Sequence, residues 1–277
     1  MAPAGKKQET SSRSDAPFVL ALAVIAGLYV GLIIAMVVAD AVFTTPRSLW
    51  RALASPEINY AIKLSLISCS ITAILSLWVA VPTGYLMSRY RFPGKGVIDA
   101  ILDIPIVLPP LIVGLSLLIL FQTPLGRAIQ QVIPVTYAIP SVILAQFAVA
   151  CAFAVRTMNV TFDQIPTRNE QVALTLGCTR RQAFWLVVLP EARRGMLTAL
   201  TLAWARALGE FGPILIFSGA TRGRTEVLPT TVFLELSIGN LEAAVAVSLL
   251  MILAAVAVLL LVRLLGAEAA FGKAVKP

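Results

Sequence analysis

The sequence predicts an all-α integral membrane protein with six transmembrane helices and a helical hairpin outside the membrane. Three observations predict it. Of the 277 residues, 58% are hydrophobic and only 13% are charged, a composition outside the range of soluble globular domains. Six stretches stay apolar over about 20 residues, the helical length that crosses a ~30 Å hydrocarbon core. One segment, Asp163 to Gly195, is too polar for lipid yet carries two helix-start patterns in succession.

The first apolar stretch, Pro17 to Phe43, is too long for the core of a cleavable signal, and no small-residue cleavage site follows it cleanly. Residues 1–16 ahead of it are polar and aperiodic and are expected to form a disordered tail. The second and fourth stretches run from Asn59 to Met87 and from Thr136 to Ala154. The third, Val97 to Phe121, places Asp99 and Asp103 one helical turn apart and then meets Pro105, Pro109 and Pro110. Those prolines deny the backbone several hydrogen bonds where no water can replace them, so the helix should break or kink toward the bundle interior. Asp103, Pro109 and Pro110 are candidates for a gate or its hinge, and a kink that simply fits packing is an equal alternative.

The fifth stretch, Met196 to Ser218, contains Arg206 and Glu210, four residues apart and so on one helix face. A charge at bilayer depth costs roughly 2.5 to 3.5 kcal/mol on insertion scales, and such groups are usually paired or face water. The pair either lets the span insert or marks a polar face on a translocation pathway, with Phe211 and Gly212 beside it. The sixth stretch, Leu241 to Leu265, has Asn240 as a helix cap, Glu242 at the positive end and Gly266 as the expected stop. The membrane domain is therefore expected over 17–266, followed by a short tail, 267–277.

Orientation follows from Lys and Arg, which short loops retain on the cytoplasmic side. With six spans both termini share one side, and that side collects Lys6, Lys7, Arg13, Arg89, Arg91, Lys95, the six arginines between Arg156 and Arg194, Arg263, Lys273 and Lys276. The other side holds only Arg47, Arg51, Arg127, Arg222 and Arg224. Both termini and the 163–195 segment are thus placed in the cytoplasm, and the net charge of +8 needs no nucleic acid to explain it. Between the last two spans, Thr221 to Asn240 is expected to lie along the outer surface.

Several chemistries are excluded. The chain has no histidine, which removes His-based acid–base catalysis, Ser-His-Asp triads and most zinc sites. Its three cysteines are scattered and build no disulfide framework. No glycine-rich phosphate loop of the G-x-x-x-x-G-K-[ST] kind occurs, so the chain is expected to bind no cofactor and to catalyse nothing by itself.

Within 163–195, Thr167-Arg168-Asn169-Glu170 and Thr179-Arg180-Arg181-Gln182 both fit the capping box, in which a Thr hydroxyl and a Glu or Gln side chain satisfy each other's first-turn N–H groups. Gly177 suits the left-handed residue that ends the first helix, and Leu189-Pro190 the end of the second. Val172, Ala173 and Leu176 offer a small apolar face.

The run Glu170-Gln171-Val172-Ala173-Leu174-Thr175-Leu176-Gly177, followed by Val187-Val188-Leu189-Pro190, resembles the EAA loop of ABC importer permeases. It departs from the motif in reading Gln171-Val172-Ala173 where the family has Glu-Ala-Ala. The resemblance implies a coupling helix that docks on a separate ATPase subunit, which would use ATP and Mg, through Glu170, Gln171, Val172, Ala173, Gly177, Leu189 and Pro190. A second likeness covers Arg91-Phe92-Pro93-Gly94-Lys95 through Pro109-Pro110, Ala205-Arg206-Ala207-Leu208-Gly209-Glu210-Phe211-Gly212, and Gly223 to Pro229. These stretches are similar to permeases for molybdate, tungstate and sulfate.

What this likeness implies is a subunit of a bacterial or archaeal cytoplasmic membrane. It would pair with a second permease copy, take a tetrahedral oxyanion from an extracytoplasmic binding protein and pass it by alternating access. The alternatives are an ABC importer permease for a different small solute and a stand-alone secondary transporter, the second of which the hairpin and the absence of an internal repeat both argue against.

Overall fold

A computed structural model describes residues 16–274, with side chains described over 17–260. The expected tail 1–16 lies almost wholly outside the described residues. Every regular element among the described residues is helical. Helix α1 (Ala16–Phe43) is exposed along nearly its whole length and touches α13 (Leu241–Ala274). After it, Thr45 caps the short α2 (Pro46–Ala54), its hydroxyl accepting from Ser48 N at 3.2 Å while Pro46 occupies the first turn, where no N–H is needed.

The frame is three packed helices, α3 (Pro56–Arg89), α7 (Ile139–Gln164) and α10 (Leu189–Leu208). Thr72 meets Gln146 and Ser88 meets Asp163, so α3 and α7 run in the same direction. Gly195 sits against Thr161 and Ala207 reaches Gln146, so α10 runs the opposite way. Small residues allow the close approach: Ala73, Ala80, Ala150, Ala154, Ala199, Ala203 and Ala207 are all buried in one cluster. A Cβ added at Gly84 would stand 2.8 Å from Met158 Cβ, which explains that glycine.

Among the described residues, four helical stretches are long and apolar enough to cross a membrane: Pro17–Phe43, Pro56–Arg89, Ile139–Gln164 and Leu241–Leu260. The expected third span is two helices, α4 (Lys95–Val107) and α5 (Pro110–Gln122), bent by 112° at Leu108-Pro109. Counted together they make a fifth crossing. The break lies where the Pro109-Pro110 pair removes successive N–H donors, whereas Pro105 is absorbed within α4.

The expected fifth span, Met196 to Ser218, is not one helix. Its first part belongs to α10, which stops at Leu208, and Gly209 to Phe211 separate it from the short α11 (Gly212–Phe217). By length and composition the described residues give four crossings, or five with the bent pair counted as one, and the expected count of six is not confirmed. The alternative of an uninterrupted helix fails because Gly209 and Gly212 have weak helix propensity and Pro213 restricts the chain just after them.

Three helix boundaries also differ from expectation. Leu189-Pro190 does not end the second helix of the hairpin. α9 (Arg180–Ala183) passes through a π-helical turn (Phe184–Val188) into α10, and the Leu189 N–H bonds to Phe184 O, five residues back. The widened turn makes room for the Pro190 ring in the first turn of α10. Thr167 does not cap α8 (Thr167–Thr175), whose cap residue is Pro166. The helical backbone of α13 continues past Gly266 to Ala274 because Ala-rich sequence follows, so 267–277 is not a separate non-helical tail over its described part.

Other expectations hold. Thr179 and Gln182 form both bonds of the capping box, at 3.3 and 2.8 Å. Gly177 takes φ +89° after α8, and Asn240 Oδ1 accepts from Ala243 N at the start of α13. The remaining helices, α6 (Pro124–Val132) and α12 (Leu228–Ser237), lie at the end of the bundle away from the hairpin.

Candidate functional site: a double helix break and the coupling hairpin

Two breaks in the backbone meet: Glu210 and Gly212 of the second are buried, whereas Pro109 and Pro110 of the first are exposed on this chain rather than turned to the bundle interior as expected. α11 packs on α5, and a Cβ added at Gly212 would lie 3.0 Å from Leu111 N and 3.2 Å from Pro110 Cβ. One added at Gly114 would lie 2.7 Å from Pro213 Cα. The two chains touch backbone to backbone, which only glycine permits at these points. Pro109, Pro110, Phe211 and Gly212, predicted from sequence to share a site, are thus brought together with Glu210.

Glu210 is 1% exposed and paired with Arg206 on the preceding turn. The predicted i,i+4 pair exists, but Glu210 lies just beyond the helix rather than on it, because α10 has ended at Leu208. Glu210 Oε1 is in direct contact with Arg206 Nη1, an ion pair across the end of α10. The Arg206 guanidinium also lies 5.5 Å from the centre of the Phe153 ring, a cation–π contact. Phe211 is half-buried against Phe233, ring centres 5.3 Å apart.

Gln146 belongs to this site and was not predicted. It is 1% exposed. Its Nε2 donates at 3.2 Å to the Ala207 carbonyl, which also accepts from Glu210 N at 3.2 Å, and its Oε1 accepts from Thr72 Oγ1 at 3.2 Å. One side chain therefore ties α3, α7 and the broken end of α10. The signal was present: Gln146 is the lone amide within an otherwise apolar stretch, Ile139 to Val155.

Asp103 is not at the break. It and Asp99 both face Arg156 of α7: Arg156 Nε donates to Asp103 Oδ1 at 2.5 Å and Nη1 to Asp99 Oδ1 at 2.7 Å, with a further contact to Asp103 Oδ2. Arg156 lies toward the end of α7 that leads into the hairpin, so these carboxylates fasten α4 to the frame at that end.

The hairpin, α8 with α9, divides its predicted residues between two faces. Glu170 and Ala173 are buried, whereas Gln171, Val172, Leu176 and Gly177 are exposed. Val172 is 48% and Leu176 79% exposed, an apolar tip beside the Gly177 turn, where an added Cβ would meet nothing within 4 Å. Leu189 is half-buried and Pro190 exposed, at the root of α10. On the inner face Tyr85 Oη donates to Glu170 Oε1 at 2.6 Å, and Arg89 Nε stands 3.7 Å from Glu170 Oε2. Arg89 Nη2 donates to Ile165 O at 2.8 Å, Ser88 Oγ to Asp163 Oδ1 at 2.5 Å, and Asn169 Nδ2 to Glu191 Oε2 at 2.9 Å.

At the opposite end, the Thr221–Asn240 segment is built into the bundle rather than laid along a surface. Thr225 to Leu228 are buried, and Leu228 N donates to Ser65 Oγ of α3 at 2.9 Å. Arg222 Nη2 donates to Glu235 Oε1 at 2.7 Å, beside a cavity of about 360 Å³ that Arg51 and Glu242 also line. Glu226 is fully buried, and neither carboxylate oxygen has a hydrogen-bond partner. Burial raises its carboxyl above the ordinary range; Thr231 and Arg222 oppose the rise, and the charges of Glu235 and Glu57 add to it. Thr231 does so by proximity alone, since its hydroxyl donates to Val227 O at 3.1 Å.

An all-helical chain with several lipid-length apolar helices, a polar double break among them and a polar hairpin at one end is a multi-pass membrane protein of the transport class. It belongs to the family described as binding-protein-dependent transport system inner membrane component, whose model matches residues 80–269. It is 31% identical over 229 residues to the sulfate transport system permease protein CysT of Salmonella typhimurium, covering 82% of each chain. It is 34% identical over 222 residues to a probable molybdenum ABC transporter permease protein of Haloferax volcanii, covering 80% of this chain and 81% of that one. In fold it is similar to a chain of the bacterial alginate ABC transporter crystallised with an alginate-bound periplasmic protein, with TM-score 0.71, 16% identity, and coverage of 90% of this chain and 93% of that one.

Proposed function

We propose that this chain forms the translocation pathway of an ATP-driven, binding-protein-dependent importer for a tetrahedral oxyanion, in the cytoplasmic membrane of a bacterium or archaeon. The observation that carries the reading is the hairpin: an exposed apolar tip, Val172 and Leu176 around Gly177, on a body bonded to α3 through Glu170 and to α10 through Asn169. Such a tip suits a groove on another protein, and a body so attached passes force to the frame. The partner is an ATPase subunit that binds ATP and Mg and receives the tip through Gln171, Val172 and Gly177, with Leu189 and Pro190 shaping the root. The sulfate and molybdenum relatives support the oxyanion class.

Two copies of the chain would enclose one pathway, the simplest closed assembly being a symmetric homodimer. The double break at Pro109–Pro110 and Gly209–Gly212 is the gate. Arg206 attracts an anion there, and Glu210 weakens that attraction so that the ion is released. A solute-binding protein delivers the ion to the end opposite the hairpin, and the hairpin end with both termini is cytoplasmic. Closure of the ATPase pair drives alternation only because the hairpin's contacts differ between the two states.

The test is purification with the cognate ATPase, followed by uptake of labelled sulfate or molybdate into vesicles. Gly177→Phe replaces a left-handed glycine at a cost of roughly 1–2 kcal/mol in backbone strain and crowds the docking tip. The variant is expected to lose the ATPase on purification. A wild-type chain that imports the ions with no ATPase present overturns the proposal.

A further inference from the structure

We infer that Glu170 is the positioning residue that buckles the hairpin to α3, rather than part of the surface that meets the ATPase. The inference rests on the importer reading and deepens it. On sequence likeness alone Glu170 falls within the docking set, but its side chain turns the other way. It is 9% exposed and accepts from Tyr85 Oη at 2.6 Å, with Arg89 3.7 Å away and itself bonded to the Ile165 carbonyl.

Tyr85 is held in turn. Its ring makes edge contacts with Phe162 of α7 and with Phe184 in the π-helical turn, ring centres 5.6 and 4.7 Å apart. Three elements therefore converge on the hydroxyl that Glu170 accepts from. The carboxylate also explains why the first predicted capping box is absent: an acid engaged by Tyr85 and Arg89 cannot reach back to the start of its own helix.

The physical consequence concerns transmission. α8 has few other anchors, since Gln171, Val172, Thr175 and Leu176 are exposed. A force on the tip reaches α3 through the Glu170–Tyr85 bond, which is charge-assisted and largely shielded from water, the condition in which such a bond is strongest. Without it the hairpin can still be gripped, but it turns without carrying α3 along. The buckle sets how much of each ATP-driven movement becomes transport.

The experiment uses the assembled complex in proteoliposomes and reads ATP hydrolysed per molybdate or sulfate ion imported. Tyr85→Phe removes one hydroxyl and leaves the exposed tip untouched. It is expected to retain the ATPase at the wild-type subunit ratio while coupling falls by roughly tenfold or more, the worth of one charge-assisted hydrogen bond being of that order. Glu170→Ala is expected to lose coupling to a similar degree, the double variant to be no worse than either single one, and Glu170→Gln, which keeps an acceptor for Tyr85, to restore most of it.

If Glu170→Ala folds poorly, the comparison of Tyr85→Phe with Glu170→Gln still decides. The inference is overturned if Tyr85→Phe couples like wild type, or if the two losses add as independent effects. It is also overturned if Glu170→Gln releases the ATPase. Failure of the importer reading looks different, because the wild-type chain would then show neither a bound ATPase nor ATP-dependent import.

Discussion

Glu226 shows how a single side chain can carry a cost that the rest of the molecule must offset. It is fully buried, its oxygens are without hydrogen bonds, and its carboxyl is raised above its ordinary 4.5 by burial. A folded acid with a raised pKa binds its proton more tightly than the unfolded chain does. Stability is therefore greatest when the group is protonated in both states, at pH below its unfolded value, and falls as pH rises toward the folded pKa. Glu226→Gln removes the charge and keeps the shape. At pH 8 it is expected to stabilise the protein by about 1–3 kcal/mol, the usual cost of an unsatisfied buried polar group. That advantage should shrink toward zero as pH falls to about 4, where the wild-type acid is neutral in both states. Thermal unfolding of both proteins in the same detergent at a series of pH values checks it; a gap that is constant with pH would place the effect elsewhere.

At the scale of elements, α4 is a strut fixed at two places. Along its length Asp99 and Asp103 share Arg156, and just past its C-terminal end Pro110 and Leu111 press on Gly212 at the second break. A shift of α7 at the hairpin end is thereby delivered to the second break, the proposed gate. Arg156→Gln leaves two carboxylates one turn apart with no counter-charge, a repulsive pair on a helix. The side chains are 30–43% exposed, so solvent screens them, and the variant should show a modestly lower midpoint in thermal unfolding. Adding Asp99→Asn and Asp103→Asn should recover much of the loss. Sequence alone disclosed the two aspartates and the broken helix but not their relation, because Arg156 is 53 residues beyond Asp103 and no local period links them. The same limit hid Gln146. By contrast Gly177, the Thr179–Gln182 cap and the proline break were legible, since each is dictated by two to four adjacent residues and by backbone chemistry that tertiary contacts did not override. Where they did override it, at Thr167 and at Pro190, the cause was a distant partner for Glu170 in one case and a widened turn in the other.

For the whole molecule the decisive question is which way the frame points, and the native cysteines answer it. Cys69 is fully buried, and Cys151 and Cys178 are both half-buried, but Cys151 lies within α7 in a membrane-length span, whereas Cys178 follows the Gly177 turn on the polar hairpin. A thiol reagent that cannot cross lipid therefore has one favoured target. With the hairpin in the cytoplasm, a membrane-impermeant maleimide should modify Cys178 in inside-out vesicles and leave it unmodified in sealed right-side-out ones, with Cys178→Ser abolishing the signal. The positive-side argument from Lys and Arg rests on insertion energetics, and this labelling tests it on the folded protein. The same reagent tests docking. Because the Gly177 turn lies at the proposed contact, bound ATPase should slow modification of Cys178 by roughly tenfold or more, the expectation for a side chain passing from partly exposed to enclosed in an interface. Labelling from the outer face alone would invert the molecule and, with it, the assignment of the hairpin as the point where ATP-driven force enters.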